Sequence, residues 1–151
     1  MLCDAAQAAP DGKLYILGGG WSQTFRHVLP PGLQLPPGQL PAPNQFAIAA
    51  GYLIDWNDAN RPLSIRVLVE RQQEPPAPPL FEVRAQITAG RPPQSPQGDP
   101  LRAVIAIPVL LNFPEQGSYS ARAEMEGAPD PVVVRFLVTD RMAMPVPPPP
   151  A

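Results

Sequence analysis

Cys3 and His27 are the only thiol and the only imidazole in the chain. Together they would make the one pair able to generate a thiolate nucleophile, with Asp4 or Asp11 to orient the ring. Free cysteine is among the most buried of residue types, so the expectation is a small buried hydrophobe beside the first strand and a histidine in a loop. Ser22 offers His27 no better triad, because no nucleophile elbow surrounds it. A single cysteine also rules out an intrachain disulfide, and a single histidine leaves no Cys/His spacing for zinc.

The acidic residues raise two further possibilities. "DWNDAN" places Asp55, Asn57, Asp58 and Asn60 close enough in sequence to ligate calcium. As an EF-hand loop it fails, with Ala59 at the third ligand position, Asn60 where the turn glycine belongs and Arg66 in place of the bidentate glutamate. These side chains read as Asx-turns capping a single helical turn between two strands. No metal is expected; Asp55 and Asp58 are the ligands if one binds. Trp56, beside this polar turn, is the one candidate contact for a small ligand or carbohydrate. Glu124 and Glu126 share the polar face of one strand, about 7 Å apart by strand rise, which alternating surface residues reach by default. With Glu115 they read as solvated carboxylates, since nothing sets an acid and a base at unequal pKa values. No catalytic residue and no cofactor are expected.

"DGKLYILGGGW" has the look of a strand entering a phosphate loop. A P-loop needs G-x-x-x-x-G-K-[ST], and a dinucleotide fingerprint needs G-x-G-x-x-G opening a helix. After Gly18, Gly19 and Gly20 come Trp21, Ser22, Gln23, Thr24 and Phe25, an alternation that continues as strand with no helix terminus for an anion. The glycines are structural in this reading: a bulge or crossover by which an amino-terminal strand changes sheets, with Trp21 plugging the core beside it.

The elements around these residues have period two. "FEVRAQIT" sets Phe81, Val83, Ala85 and Ile87 on one face; "LSIRVLVERQ" does the same with Leu63, Ile65, Val67 and Val69, and "YSARAEMEG" with Tyr119, Ala121, Ala123 and Met125. "QFAIAAGYLIDW" and "LRAVIAIPVLLNF" are apolar nearly throughout and suit central strands. Pro108 in the second predicts a bulge or an edge position, with the strand bending or changing partners there. "PVVVRFLVT" closes the sheet. The class is all-β, an immunoglobulin-like antiparallel β-sandwich of seven to eight strands. "NFPEQGSYSARAEMEG" adds a local signature, since a proline turn and a glycine before Tyr119 match the tyrosine corner of such domains.

Composition bounds what the sandwich does. The chain has 151 residues and 25 prolines, with 44% hydrophobic residues, so proline here punctuates a globular chain. Residues 1–140 read as one domain carrying a Pro-rich loop at 29–44, and 141–151 as a disordered Pro-rich tail. The repeated Leu-Pro-Pro-Gly-x-Leu of the loop suits recognition by an aromatic groove or is simply a tolerated insertion. A net charge of −2 without charge runs leaves no footprint for nucleic acid or an anionic membrane. The amino terminus has no signal-peptide pattern, and the longest apolar runs are about half of the ~20 residues a helical span needs. A cytoplasmic protein that binds or scaffolds another protein is expected, with small-ligand binding as the alternative and oligomeric state open.

"MLCDAAQAAPDGKLYILGGGWSQTF", "DWNDANRPLSIRVLVE", "PEQGSYSARAEMEG" and "VVVRFLV" together resemble a bacterial family of short stand-alone proteins of unknown function. The resemblance runs from Met1 to about Thr139, with the loop at 29–44 and the proline tail as departures. It implies a sandwich and supplies no activity, substrate or site.

Overall fold

The structure is a computed structural model that describes residues 1–32 and 42–142. Ten strands and one 3-10 turn follow in order: β1 Leu2–Cys3, β2 Ala5–Ala8, β3 Leu14–Leu17, β4 Gln23–Val28, β5 Asn44–Ile54, the turn Trp56–Asp58, β6 Leu63–Arg71, β7 Phe81–Ile87, β8 Leu101–Leu111, β9 Gly117–Met125 and β10 Val132–Met142. They form a five-stranded sheet in the order β4-β10-β9-β6-β7, a three-stranded sheet β1-β5-β8 and the two-stranded hairpin β2-β3. No described helix is long and apolar enough to cross a membrane.

The alternating strands supply one wall of the core. Ile65, Val67 and Val69 of β6, Tyr119, Ala121 and Ala123 of β9, and Phe136 and Val138 of β10 are buried in one cluster. Phe46, Ile48, Tyr52 and Ile54 of β5 and Leu101, Ile105, Val109 and Leu111 of β8 face them from the three-stranded sheet. Each fully buried aliphatic side chain of this kind contributes about 1.5–3 kcal/mol. β5 is apolar on both faces for a separate reason: its opposite face, at Ala47 and Ala49, lies with Cys3 beneath Ala6 and Leu14 of the hairpin. Small side chains at 47 and 49 let that third layer approach closely.

Four features depart from the sequence reading. The described residues form ten strands, because the amino-terminal segment breaks into short pieces. The pairing is not wholly antiparallel: β4 runs parallel to β10, from Gln23 opposite Leu137 to Val28 opposite Met142. Trp21 and Ser22 lie outside the strand, which begins only at Gln23. Pro108 neither bulges nor redirects β8, whose register with β5 is unbroken from Asn44↔Leu111 to Ile54↔Leu101. β8 is the edge of its sheet, and an edge strand tolerates the missing N–H.

One boundary also falls elsewhere. β10 continues to Met142, two residues into the segment expected as tail. The rest of that tail, 143–151, and residues 33–41 of the Pro-rich loop lie outside the described residues.

Candidate functional site

The outward face of the five-stranded sheet carries a set of charged side chains, and on β6, β7 and β9 they are engaged with one another. Arg66 holds Glu82 across the β6–β7 pair in a two-pronged ion pair, Nε to Oε1 at 2.9 Å and Nη2 to Oε2 at 3.0 Å. Arg84 Nε donates to the same Oε1 at 3.0 Å. Arg66 also reaches Glu124 at 3.6 Å, which Arg122 meets at 3.6 Å, and Arg122 pairs with Glu70 at 3.4 Å. Ser120, wholly buried, accepts from Gln72 at 2.8 Å and donates to Glu70 at 3.4 Å. Residues that alternate along neighbouring strands come opposite one another, and opposite charges there attract.

These pairs set the electrostatics. Hydrogen bonds from Arg66, then Arg84, bring Glu82 down from 4.5 to about 2. The Ser64 N–H and Arg61 hold Glu126 below its ordinary value, and Arg26 does the same for Asp140. Such carboxylates are ionised at neutral pH and act as fixed charges; a general acid needs the opposite shift. A shallow depression of 790 Å³ beside this ladder of ion pairs is lined by Ser64, Arg66, Arg84, Gln86, Glu124 and Glu126 among others.

The residues singled out from sequence are scattered. Cys3 is wholly buried between β5 and the hairpin, its Sγ donating to the Ala47 carbonyl at 3.4 Å, and burial pushes its thiol pKa up. His27 is exposed on β4, in the other sheet rather than in a loop. The two do not meet.

Asp58 is taken by Arg61, with Oδ1 accepting from Nη2 at 2.8 Å and Nε at 3.0 Å. Asp55 precedes the 3-10 turn without a side-chain capping bond, so the expected Asx cap is not made there. Asn60 instead adopts φ 64° and its Oδ1 accepts from the Arg91 N–H at 3.3 Å. Among the described residues no group of three or more His, Cys, Asp or Glu could hold a metal ion. Trp56 is half-buried, and the Arg91 guanidinium lies 4.8 Å from its ring centroid while donating to its carbonyl at 2.6 Å. The face a sugar would stack on is thus occupied by an arginine.

Gly18, Gly19 and Gly20 lie between β3 of the hairpin and β4 of the five-stranded sheet. Gly18 and Gly20 have φ of 60° and 87°, and the Gly20 N–H donates to the Leu2 carbonyl at 2.8 Å. A Cβ on Gly18 would collide with the Asp4 carboxylate, and one on Gly19 would stand 2.8 Å from Ile16 Cγ2. Trp21 packs edge-on to Phe46 at 5.5 Å and Phe136 at 5.8 Å. The Tyr119 hydroxyl donates to the Glu115 carbonyl at 2.7 Å, the backward bond that a tyrosine corner makes.

Sequence reasoning missed the outward surface of β10 and β4. There Phe25, Val133 and Leu137 are exposed, and Arg141 lies 5.8 Å from the Phe25 ring centroid. The signal was present in β10, where Val133, Arg135, Leu137, Thr139 and Arg141 alternate with the buried Phe136 and Val138.

No curated protein and no solved structure matches the chain. A family model does match, over residues 1–133, and it takes in β1 to β9, the glycine crossover and the Tyr119 turn, ending at the start of β10. The chain therefore belongs to the family of unknown function DUF6941.

Proposed function

We propose that this protein is a non-catalytic, cytoplasmic β-sandwich of immunoglobulin-like type whose work is to bind or scaffold another protein. Support for the immunoglobulin-like assignment comes from strand order. β10-β9-β6-β7 corresponds to the order G-F-C-C′ of a variable-type sheet, β5-β8 to the B-E pair facing it, and Tyr119 stands at the start of the strand that would be F.

The observation that carries the binding role is the set of large apolar side chains on outward strand faces. On the outward face of the paired strands β4 and β10, Phe25 is 45% exposed, Val133 43% and Leu137 42%. Groups of exposed apolar side chains mark interaction surfaces. The test is affinity purification with the full chain, followed by reconstitution from purified components. A stoichiometric complex is the expected result; a chain that captures no reconstitutable partner, or that turns over a hydrolase or transferase substrate, overturns the reading. Excision of 33–41 from the bait adds the role of the Pro-rich loop. Loss of capture makes it the recognition element, and unchanged capture makes it an inserted loop.

A further inference from the structure

The outward face of the five-stranded sheet is divided. On β7, β6 and β9 each of Arg66, Arg84 and Arg122 is matched by a glutamate. On β10 and β4 the pattern changes. Arg135 and Arg141 are exposed, and neither forms an ion pair with any described residue. The acid nearest in sequence, Asp140, points the other way and is held by Arg26. Between and beside the arginines stand Phe25, 45% exposed, Val133, 43%, and Leu137, 42%. The β4 residues are in register with them, Phe25 opposite Thr139 and His27 opposite Arg141.

We propose that this face of β10 and β4 docks an extended segment of another protein whose sheet-facing side chains, at every second residue, include both carboxylate and apolar groups. The inference rests on the reading of the protein as a protein-binding module and names the surface and the chemistry of its partner. Side chains on one face of a strand repeat every second residue, and Arg135 and Arg141 are about 20 Å apart along β10 at ~3.3 Å per residue. An extended segment presents its own side chains with the same spacing. Its acids reach the two arginines while its apolar side chains cover Leu137 and Phe25.

Charge complementarity selects this occupant over the others at hand. A second copy placed face to face by a two-fold axis would bring the same arginines into one interface with no acid to meet them. Neither segment of the chain outside the described residues, 33–41 or 143–151, contains an aspartate or glutamate. A nucleic acid would use the arginines and leave Leu137 and Val133 without a role. Docking takes place on the face, because the β4 edge is partly closed: the Phe25 carbonyl accepts from Asn44 Nδ2 at 2.6 Å.

The experiment uses the full chain, isotope-labelled, and a synthetic peptide of about ten residues that carries Glu, Leu, Phe and Glu at every second position with Ser or Thr between them, so that acids and apolar side chains share one face. The same peptide with Lys for Glu is the control. Expected are amide shifts confined to β4, β10 and the adjoining edge of β9, affinity that falls with added salt, and no binding of the Lys peptide. Arg135→Glu with Arg141→Glu, and separately Leu137→Ser, should each weaken binding roughly tenfold or more. Arg102→Glu, exposed on β8 in the other sheet, should leave it unchanged. Circular dichroism confirms that each variant is folded.

Equal binding of the Lys peptide, shifts centred elsewhere, or indifference to the charge reversals would overturn the proposal. So would contacts between Phe25 or Leu137 and the prolines of 145–150 in the free protein, or a dimer that the Leu137→Ser change dissolves. A natural partner that binds the full chain but ignores both arginine reversals refutes this surface while leaving the binding role intact. Failure to reconstitute any partner refutes the binding role instead.

Discussion

The Tyr119 hydroxyl donates to the carbonyl of Glu115 at 2.7 Å while the Tyr119 ring is completely buried. The ring meets Phe113 edge-on at 4.9 Å and stacks on Phe136 at 5.9 Å. One side chain therefore fixes the turn between β8 and β9 and fills the centre of the core. The two roles separate by mutation. Tyr119→Phe keeps the ring and should cost about 1 kcal/mol, the net value of one hydrogen bond. Tyr119→Ala should cost about 3–5 kcal/mol through the cavity it leaves. Urea unfolding with an unchanged m-value checks both, and a Phe variant as stable as the wild type would remove the turn-fixing role.

The glycine crossover makes a positional prediction. Alanine at Gly18 or Gly20 must adopt a left-handed φ, at about 1 kcal/mol each, and only at Gly18 does the new methyl also strike Asp4. Asp4→Ala should therefore recover part of the loss in Gly18→Ala and none in Gly20→Ala, a non-additivity that a double-mutant cycle measures. Addition of phosphate, ATP or NAD should leave the wild-type melting temperature where it was. Ligand-dependent stabilisation lost in Gly18→Ala would make the loop an anion site.

Acid should weaken the fold through the ladder. A carboxylate whose folded pKa lies below its unfolded value stabilises the native state above the unfolded value, and that contribution disappears as pH falls through the folded one. For Glu82 the window runs from 4.5 down to about 2, and Glu126 and Asp140 shift in the same direction. The urea midpoint should drop across this range, and Glu82→Gln should flatten the drop. An identical acid profile for the variant would show that the Arg66–Glu82 pair contributes nothing to stability.

Cys3 should be chemically silent while the protein is folded. It is wholly buried with a raised pKa, so an aromatic disulfide reagent or iodoacetamide should label it at the rate of unfolding. Fast labelling under native conditions would mean that the hairpin lifts off β5. Cys3→Ser should destabilise only modestly, since the Sγ already donates to the Ala47 carbonyl and a hydroxyl can do the same.

What the sequence revealed follows from the range of the interactions. Period-two alternation placed β6, β7 and β9, because one face of each meets the core and the other meets solvent or a salt bridge. The proline turn before β9, with Gly117 and Tyr119 at the start of that strand, pointed to the Tyr119 hydrogen bond, which closes over four residues. Contacts between distant segments were not legible. Nothing local at Trp56 announces that Arg91 will lie over its ring, and nothing in β4 announces a parallel partner from the far end of the chain. Pro108 was ambiguous between bulge and edge, and only the number of neighbours of β8 decides. Along β10 the run Val132, Val133, Val134 reads as uniformly buried; the inward Phe136 and Val138 reveal that Val133 and Leu137 face out.

The parallel pairing of β4 with β10 bears on how the chain is made. β10 is the last of the described strands in sequence yet lies inside the five-stranded sheet, between β4 and β9. The contact of Gln23 with Thr139 spans 116 residues. During synthesis β4 emerges before β5 to β9 and has no neighbour in its own sheet until β10 leaves the ribosome. Such a topology folds late and slowly. A chain stopped at residue 133, where the family match ends, would leave β9 with an open edge and β4 with no strand to join.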